Sequence, residues 1–388
     1  MPRVLHLCPD ERSFSGVAAY GAAFRAGLRA AGASVVQHAV PPNARFTLRE
    51  VRAYAAEAAD LAASRADVIH AEISGGSVHE LEAVRMALRR THIAVVLTLH
   101  DPPHLIWTPF VGGWLRDYRS ARGTAKAILR RRSASIEQNV LARTRHLFVL
   151  SHLGREALLQ ARPSVNSDNV TVLPYPVQAD LARRKPQVLA PAQLLVGFVG
   201  HWYPGKGLKT LVEALARATD RRESIRLRLI GDAWRFGGSR SSHSYRTQIL
   251  QSIDRSGLRH LIDLRGFVES DVLGEELAAC DVVVLPYDRR RSVSGLVSVS
   301  AAAFDALGAG VPVLASDVRA MPEVITHGVD GLLFPAGDAE ALAVLLRQLR
   351  DEPALRARLR EGARRRANSL SPVRTAHGAL EAYRQVLR

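Results

Sequence analysis

VGHWYPGKGLKTL, residues 199–211, is the stretch on which the reading of the chain turns. Gly200, four intervening residues, Gly205 and Lys206 match the opening of a phosphate loop, G-x-x-x-x-G-K, but Gly207 stands where that loop needs Ser or Thr. An apolar, strand-like run precedes the stretch, and GLKTLVEALARAT follows with helical spacing. Strand, glycine turn and helix in that order let backbone N–H groups and the positive helix end face an anion. Lys206 adds a full charge suited to a diphosphate. An ATPase loop would also require a hydroxyl at 207 for Mg²⁺ and a second strand ending in Asp. The candidate strand DVVVLPY (281–287) ends instead in proline and tyrosine. The ATPase reading fails on both counts, and the phosphate reading survives.

The same alternation extends outward in both directions. After AQLLVGFVG (192–200) come SIRLRLIGD (224–232), HLIDLRGFV (260–268), DVVVLPY (281–287), GVPVLAS (310–316) and DGLLFPA (330–336), with helical stretches such as ESDVLGEELAAC between them. Upstream lie PRVLHLCP (2–9), SVVQHAV (34–40), ADVIHAE (66–72), IAVVLTLHD (93–101), HLFVLS (146–151) and VTVLPYPV (170–177). Buried β-branched strands separated by helices predict two parallel α/β sheets. The polar, proline-marked ARRKPQVLAPAQ (182–193) reads as the linker between a domain at 1–181 and another at 194–369. SPVRTAHGALEAYRQVLR closes the chain as a helix, with Val373, Ala376, Leu380, Tyr383 and Leu387 near one stripe.

Composition narrows the function classes. The chain has 388 residues, 47% hydrophobic and 23% charged, as in an ordinary globular protein. No apolar run reaches the ~18 residues of a membrane span, and the first residues lack a signal-peptide core. Cys8 and Cys280 are the only cysteines, so neither a disulfide framework nor a cysteine zinc site is expected, and a cytoplasmic home follows. The net charge of +16 suits an anionic partner, either a phosphate-rich substrate or a membrane surface. The basic RRRS (130–133) can meet anionic lipid at the inner membrane face, or simply be the wet side of a packed helix. No nucleic-acid signature is present.

Parallel sheets bind ligands beyond the carboxyl ends of their strands. Gly16 follows the first strand, in the loop SFSGV; Glu72 follows the third; His100 and Asp101 follow the fourth. Each has a plain structural alternative: a tight turn for Gly16, solvation for Glu72, and a strand end before Pro102 and Pro103 for His100. In the second half, a helix starting near Ser298 or Ser300 offers first-turn amides flanked by small side chains, Ala301 among them. Asp305 lies over a turn further in, among apolar and small neighbours, where a ribose diol would satisfy its oxygens.

These residues carry a resemblance. In order, FVGHWYPGKGLKTLVEAL, LRLIGD, LRGFVESDVLGEELAACDVVVLPY and DALGAGVPVLASDVRAMPEVITHGVDGLLFPAGDAEALA resemble the nucleotide-sugar domain of retaining GT-B glycosyltransferases of the family-4 group. The first half is similar more loosely, through the Gly16 loop, DVIHAE and TLHD. The resemblance implies two Rossmann-like domains facing each other across a cleft, with the last helix crossing back to the N-terminal domain. It also implies an enzyme of the EC 2.4 class using an NDP-sugar as co-substrate; no D-x-D occurs in the sequence, so no metal is expected. Lys206 matches the lysine that neutralises the donor diphosphate, and His201, after Gly200, stands where the family often has arginine. Ser300 and Ala301 match the phosphate-binding helix start, Asp305 the ribose-binding glutamate, and Gly16 the loop that closes over the phosphates. His100 matches the histidine near the reacting carbon, and Glu323 a glutamate near the cleft. The first glutamate of Glu-x7-Glu falls on Val297; Ser294 and Gly295 supply a Ser-Gly pair seen in one branch, if the loop alignment shifts. The sequence does not identify the acceptor; a glycan, a lipid-linked molecule or a natural-product scaffold would each suit the resemblance. A non-catalytic GT-B scaffold and a GT-B epimerase or phosphorylase are the rival readings.

Overall fold

The computed structural model describes residues 1–13, 15–42, 44, 47–106, 124–179, 193–219, 224–233, 240–288 and 299–388. Within them the chain divides into two compact units. One holds Met1–Pro176 together with Leu370–Arg388; the other lies between Val177 and Ser369. The 182–193 linker, apart from Gln193, lies outside the described residues, as do Ser294, Gly295 and Val297.

The first unit is a six-stranded sheet in the order β2-β1-β3-β4-β5-β6, every pair parallel. Its strands are β1 Arg3–Pro9, β2 Ser34–Val40, β3 Val68–Ile73, β4 Ala94–Leu99, β5 His146–Val149 and β6 Val170–Val172. β3 and β4 are buried along their whole length, which explains why their sequences run apolar without alternation. β6 is short because Pro174 and Pro176 have no N–H to continue the ladder. The helix Gly16–Ala30 opens on Ser15, whose hydroxyl accepts from the Ala18 amide at 3.1 Å. Gly16 is thus the first residue of a helix and not part of the loop expected over SFSGV. The terminal helix Pro372–Val386 packs on this unit: a Cβ added at Gly27 would lie 2.1 Å from the Pro372 carbonyl. Of its expected stripe, Ala376, Leu380 and Tyr383 are buried, but Val373 and Leu387 at its ends are exposed.

The second unit repeats the plan, in the order β12-β11-β10-β7-β8-β9, again all parallel. Here β7 is Leu194–Val199, β8 Ile225–Ile230, β9 Ile262–Gly266, β10 Val282–Leu285, β11 Val313–Ser316 and β12 Gly331–Phe334. The helix Leu208–Ala218 shows why the repeat folds. Leu208, Leu211, Val212 and Leu215 form one buried stripe against the sheet, while Lys209 and Glu213 pair on the wet side at 3.8 Å. Each unit has its own apolar core. The expected α/β architecture of two Rossmann-like sheets is the one observed.

Candidate functional site

In the second unit, β7 ends at Val199 and the chain turns through Gly200 (φ 136°), Gly205 (φ 105°) and Gly207 (φ 70°) before the helix at Leu208. A Cβ on Gly207 would sit 1.5 Å from the Pro286 carbonyl oxygen. The position therefore cannot hold the hydroxyl of an ATPase loop. His201 packs its ring 5.4 Å from that of Phe267, and the next residue, Trp202, is buried.

Lys206 is held by aromatic groups. Its Nζ lies 4.2 Å from the Tyr287 ring centroid and 5.6 Å from that of Tyr203, and it donates to the Tyr287 hydroxyl at 3.1 Å. Among the described residues, no carboxylate pairs with it. Burial works against its charge, but the two tyrosines outweigh burial and its pKa lies above the ordinary lysine value. Tyr287 also bonds Ser300 Oγ at 2.7 Å, and Ser316 Oγ donates to the Tyr287 carbonyl at 2.8 Å. β10 neighbours both β7 and β11 in the sheet, so Tyr287, two residues past β10, ties Lys206 to the helix start at Ser300.

That helix, Ala301–Gly308, has Ser300 as its N-cap residue. The Ser300 hydroxyl is engaged with Tyr287 and makes no cap bond, which leaves first-turn amides around Ala301 to other acceptors. Asp305 lies further along the helix, where burial pushes its carboxyl up to about 7. Glu323 sits in the short helix Met321–Val324 with an exposed side chain, and its carbonyl accepts from Arg366 Nη2 at 3.0 Å.

In the first unit, His100 and Glu72 come together. Glu72 is fully buried and accepts from His100 Nε2 at 2.8 Å and from His6 Nε2 at 2.8 Å, one oxygen each. A carboxylate only accepts, so both Nε2 atoms carry protons; in a neutral His100 ring, Nδ1 is then the acceptor. Burial alone would raise the Glu72 carboxyl, but the His100 and His6 bonds outweigh it and hold it well below the carboxylate range. Burial likewise opposes the charge on His6, and the neighbouring Cys8 and Glu72 override it, lifting His6 to about 9. Arg25, buried behind them, donates to Cys8 Sγ at 3.0 Å and pairs with Glu11. His70 is pulled down to about 3, first by burial, and bonds Thr98 Oγ1 at 2.6 Å and the hydroxyl of Tyr383 on the terminal helix. Asp101 Oδ2 accepts from the Gly75 amide at 3.2 Å. Gly16 is linked to His100 through aromatics: its carbonyl accepts from Tyr175, and Tyr175 and His100 both pack edge-on against Tyr20.

His6, Tyr287 and Arg319 were not among the expected site residues. A histidine inside the apolar strand RVLHLCP is itself a signal, because a buried polar side chain needs a partner. Tyr287 had only its place at a strand end to mark it.

Most of the chain is similar to known proteins. Residues 3–176 match the family model described as Glycosyl transferase 4-like domain, and residues 193–352 the one described as Glycosyl transferases group 1. A D-inositol 3-phosphate glycosyltransferase of Streptomyces avermitilis is 30% identical over 222 residues, 57% of this chain and 45% of the relative. The lipopolysaccharide core biosynthesis glycosyltransferase LpsD of Rhizobium meliloti is 33% identical over 182 residues, 47% of this chain and 46% of the relative. The chain thus spans about half the length of these curated relatives. Among solved structures, Anabaena HepE in complex with UDP superposes with a TM-score of 0.69 at 18% identity, covering 98% of both chains. Sucrose-phosphate synthase of Thermosynechococcus elongatus does so with a TM-score of 0.70 at 18% identity, covering 99% of this chain and 98% of that one. At such identities the likeness is one of fold.

Proposed function

The chain has the two domains of a GT-B glycosyltransferase, and from that premise we propose that it moves a sugar from an NDP-sugar to a hydroxyl acceptor with retention of anomeric configuration. The observation that carries the reading is the Lys206–Tyr287–Ser300 chain: a lysine with no carboxylate partner among the described residues, tied to a helix start whose N-cap residue makes no side-chain cap bond. Such an array stabilises negative charge as it develops on a departing diphosphate, and its donors are already oriented. Side chains and amides, and not a metal, neutralise the leaving group in this reading, since the sequence contains no D-x-D.

The remaining residues take roles within the unit that holds each of them. Asp305 receives the ribose hydroxyls, and Gly200 and His201 border the phosphates. In the other unit, Gly16 at its helix start offers an amide to an anion. His100, its Nε2 proton held by Glu72, presents Nδ1 as an acceptor to a sugar hydroxyl. The leaving phosphate accepts the acceptor's proton on the face of departure. The relatives are named for D-inositol 3-phosphate and for lipopolysaccharide core biosynthesis, and in this reading the acceptor is a polyol or glycan hydroxyl. No helix among the described residues is long and apolar enough to cross a membrane. The reading puts the protein in the cytoplasm, with exposed Arg131 and Arg132 available to anionic lipid.

Calorimetric titration with UDP, GDP, dTDP, ADP and CDP tests the centre. One nucleotide should bind selectively, and Lys206→Ala should weaken it about ten- to a hundredfold, the range of a charge-assisted bond. Equal binding by the variant would remove Lys206 from the donor site.

A further inference from the structure

Arg319 occupies a position that the backbone suits to glycine. Its φ is +56°, and it is the one residue other than glycine with positive φ among those described. L-residues other than Asn and Asp seldom hold that conformation. Its Nε is shielded from solvent and has no hydrogen-bond partner. Two structural costs therefore fall on one long cationic side chain, and backbone outliers of this kind concentrate at ligand clamps.

Its surroundings indicate the ligand. Arg319 follows β11 as Tyr287 follows β10 and Lys206 follows β7, and β11, β10 and β7 are successive neighbours in the sheet. The Arg319 guanidinium carbon lies 5.9 Å from the Tyr287 ring centroid, and Lys206 Nζ lies 4.2 Å from the same centroid. The loop is anchored there by Ser316, which donates to the Tyr287 carbonyl, and by the Val318 amide, which donates to the Ser316 carbonyl at 2.8 Å. Among the described residues, neither cation is paired with a carboxylate. Two like charges gathered around one tyrosine repel each other unless an anion joins them.

We propose that Arg319 is the second cation of an anion clamp with Lys206, closing on the diphosphate of a nucleotide-sugar donor beside Tyr287. This deepens the donor-site reading and rests on it for the identity of the ligand. The clamp would also account for His201: the second positive charge comes from the loop after β11, and position 201 beside the glycine turn need not supply it. The guanidinium presents several donors to two phosphates at once, which a lysine in that place could not do.

The test titrates the full chain and its Arg319→Gly and Arg319→Lys variants with the five nucleoside diphosphates and with inorganic pyrophosphate, and records thermal melts of each. Glycine is at ease at φ +56°, so Arg319→Gly should melt no lower than the parent protein while binding diphosphates about ten- to a hundredfold more weakly. Arg319→Lys should recover part of that loss. Undiminished nucleotide binding by Arg319→Gly would overturn the clamp and leave the donor site standing. If the parent protein binds pyrophosphate but no nucleotide, and Arg319→Gly weakens it, the donor reading falls and the clamp remains. Binding of neither by the parent protein would overturn both.

Discussion

Glu72 holds two histidines, His6 on β1 and His100 just past the end of β4, and its titration is the most direct probe of how the first unit is built. Its folded pKa is depressed, so its contribution to stability is present above the ordinary glutamate value of about 4.3 and is lost as pH falls through the folded pKa. The pKa of His6 is raised to about 9, so its contribution is full below about 6.5 and is lost as pH rises through 9. The pair therefore stabilises most between about pH 4.3 and 6.5. Glu72→Gln should cost about 3–5 kcal/mol there, the cost of breaking a buried pair, and the gap to the parent protein should narrow above pH 9. Denaturant melts of both proteins across pH 4 to 10 would show it; a gap independent of pH would mean that the two groups are not ionised together. At this scale the sequence was only partly legible. Lys206 could be singled out because glycines and a helix surround it in the chain itself. Glu72 stood open between solvent and site, because its partners His6 and His100 are 66 and 28 positions away.

The helix Leu208–Ala218 depends on how it begins. Gly207 combines φ +70° with the Pro286 carbonyl against its α-carbon, so Gly207→Ala meets both the left-handed penalty of about 1–2 kcal/mol and a steric collision. Melting should fall by more than the left-handed penalty alone, and nucleotide affinity should fall with it, since the turn carries Lys206. Gly337→Ala is the control: its φ is +81° with no atom within 4 Å of an added Cβ, so it should lose the conformational part only. Equal losses in the two variants would show that the Pro286 contact is immaterial. Elements were the most legible level. Each expected strand is present, because β-branched apolar runs between glycine and proline turns leave the backbone few alternatives. The ends of elements were less so. Periodicity puts Val373 and Leu387 on the buried stripe of the last helix, yet both are exposed, because burial there depends on how far the partner surface reaches.

In the whole molecule, the last helix is sequentially remote from the unit it completes. Gly27 lies against Pro372, the Thr375 hydroxyl donates to the Pro174 carbonyl at 3.2 Å, and Tyr383 reaches the buried His70. Removing residues 371–388 should strip hydrogen-exchange protection from Gly16–Ala30 and β1 while leaving β7 to β12 protected. Unchanged protection of Gly16–Ala30 would show that the first unit is stable without it. Read alone, the sequence determined the α/β class, the twelve strands, the glycine turn before Lys206 and the exclusion of an ATPase loop. All of these follow from local rules: side-chain periodicity, turn chemistry and the need for a hydroxyl at one position. The tertiary structure alone decided that Glu72 joins His6 to His100, that Tyr287 holds Lys206, and that Arg319 comes to the same tyrosine. Those adjacencies depend on strand order, and one alternation of strands and helices is compatible with many orders. Only the packed sheet, with β7, β10 and β11 side by side, brings their loops to one place.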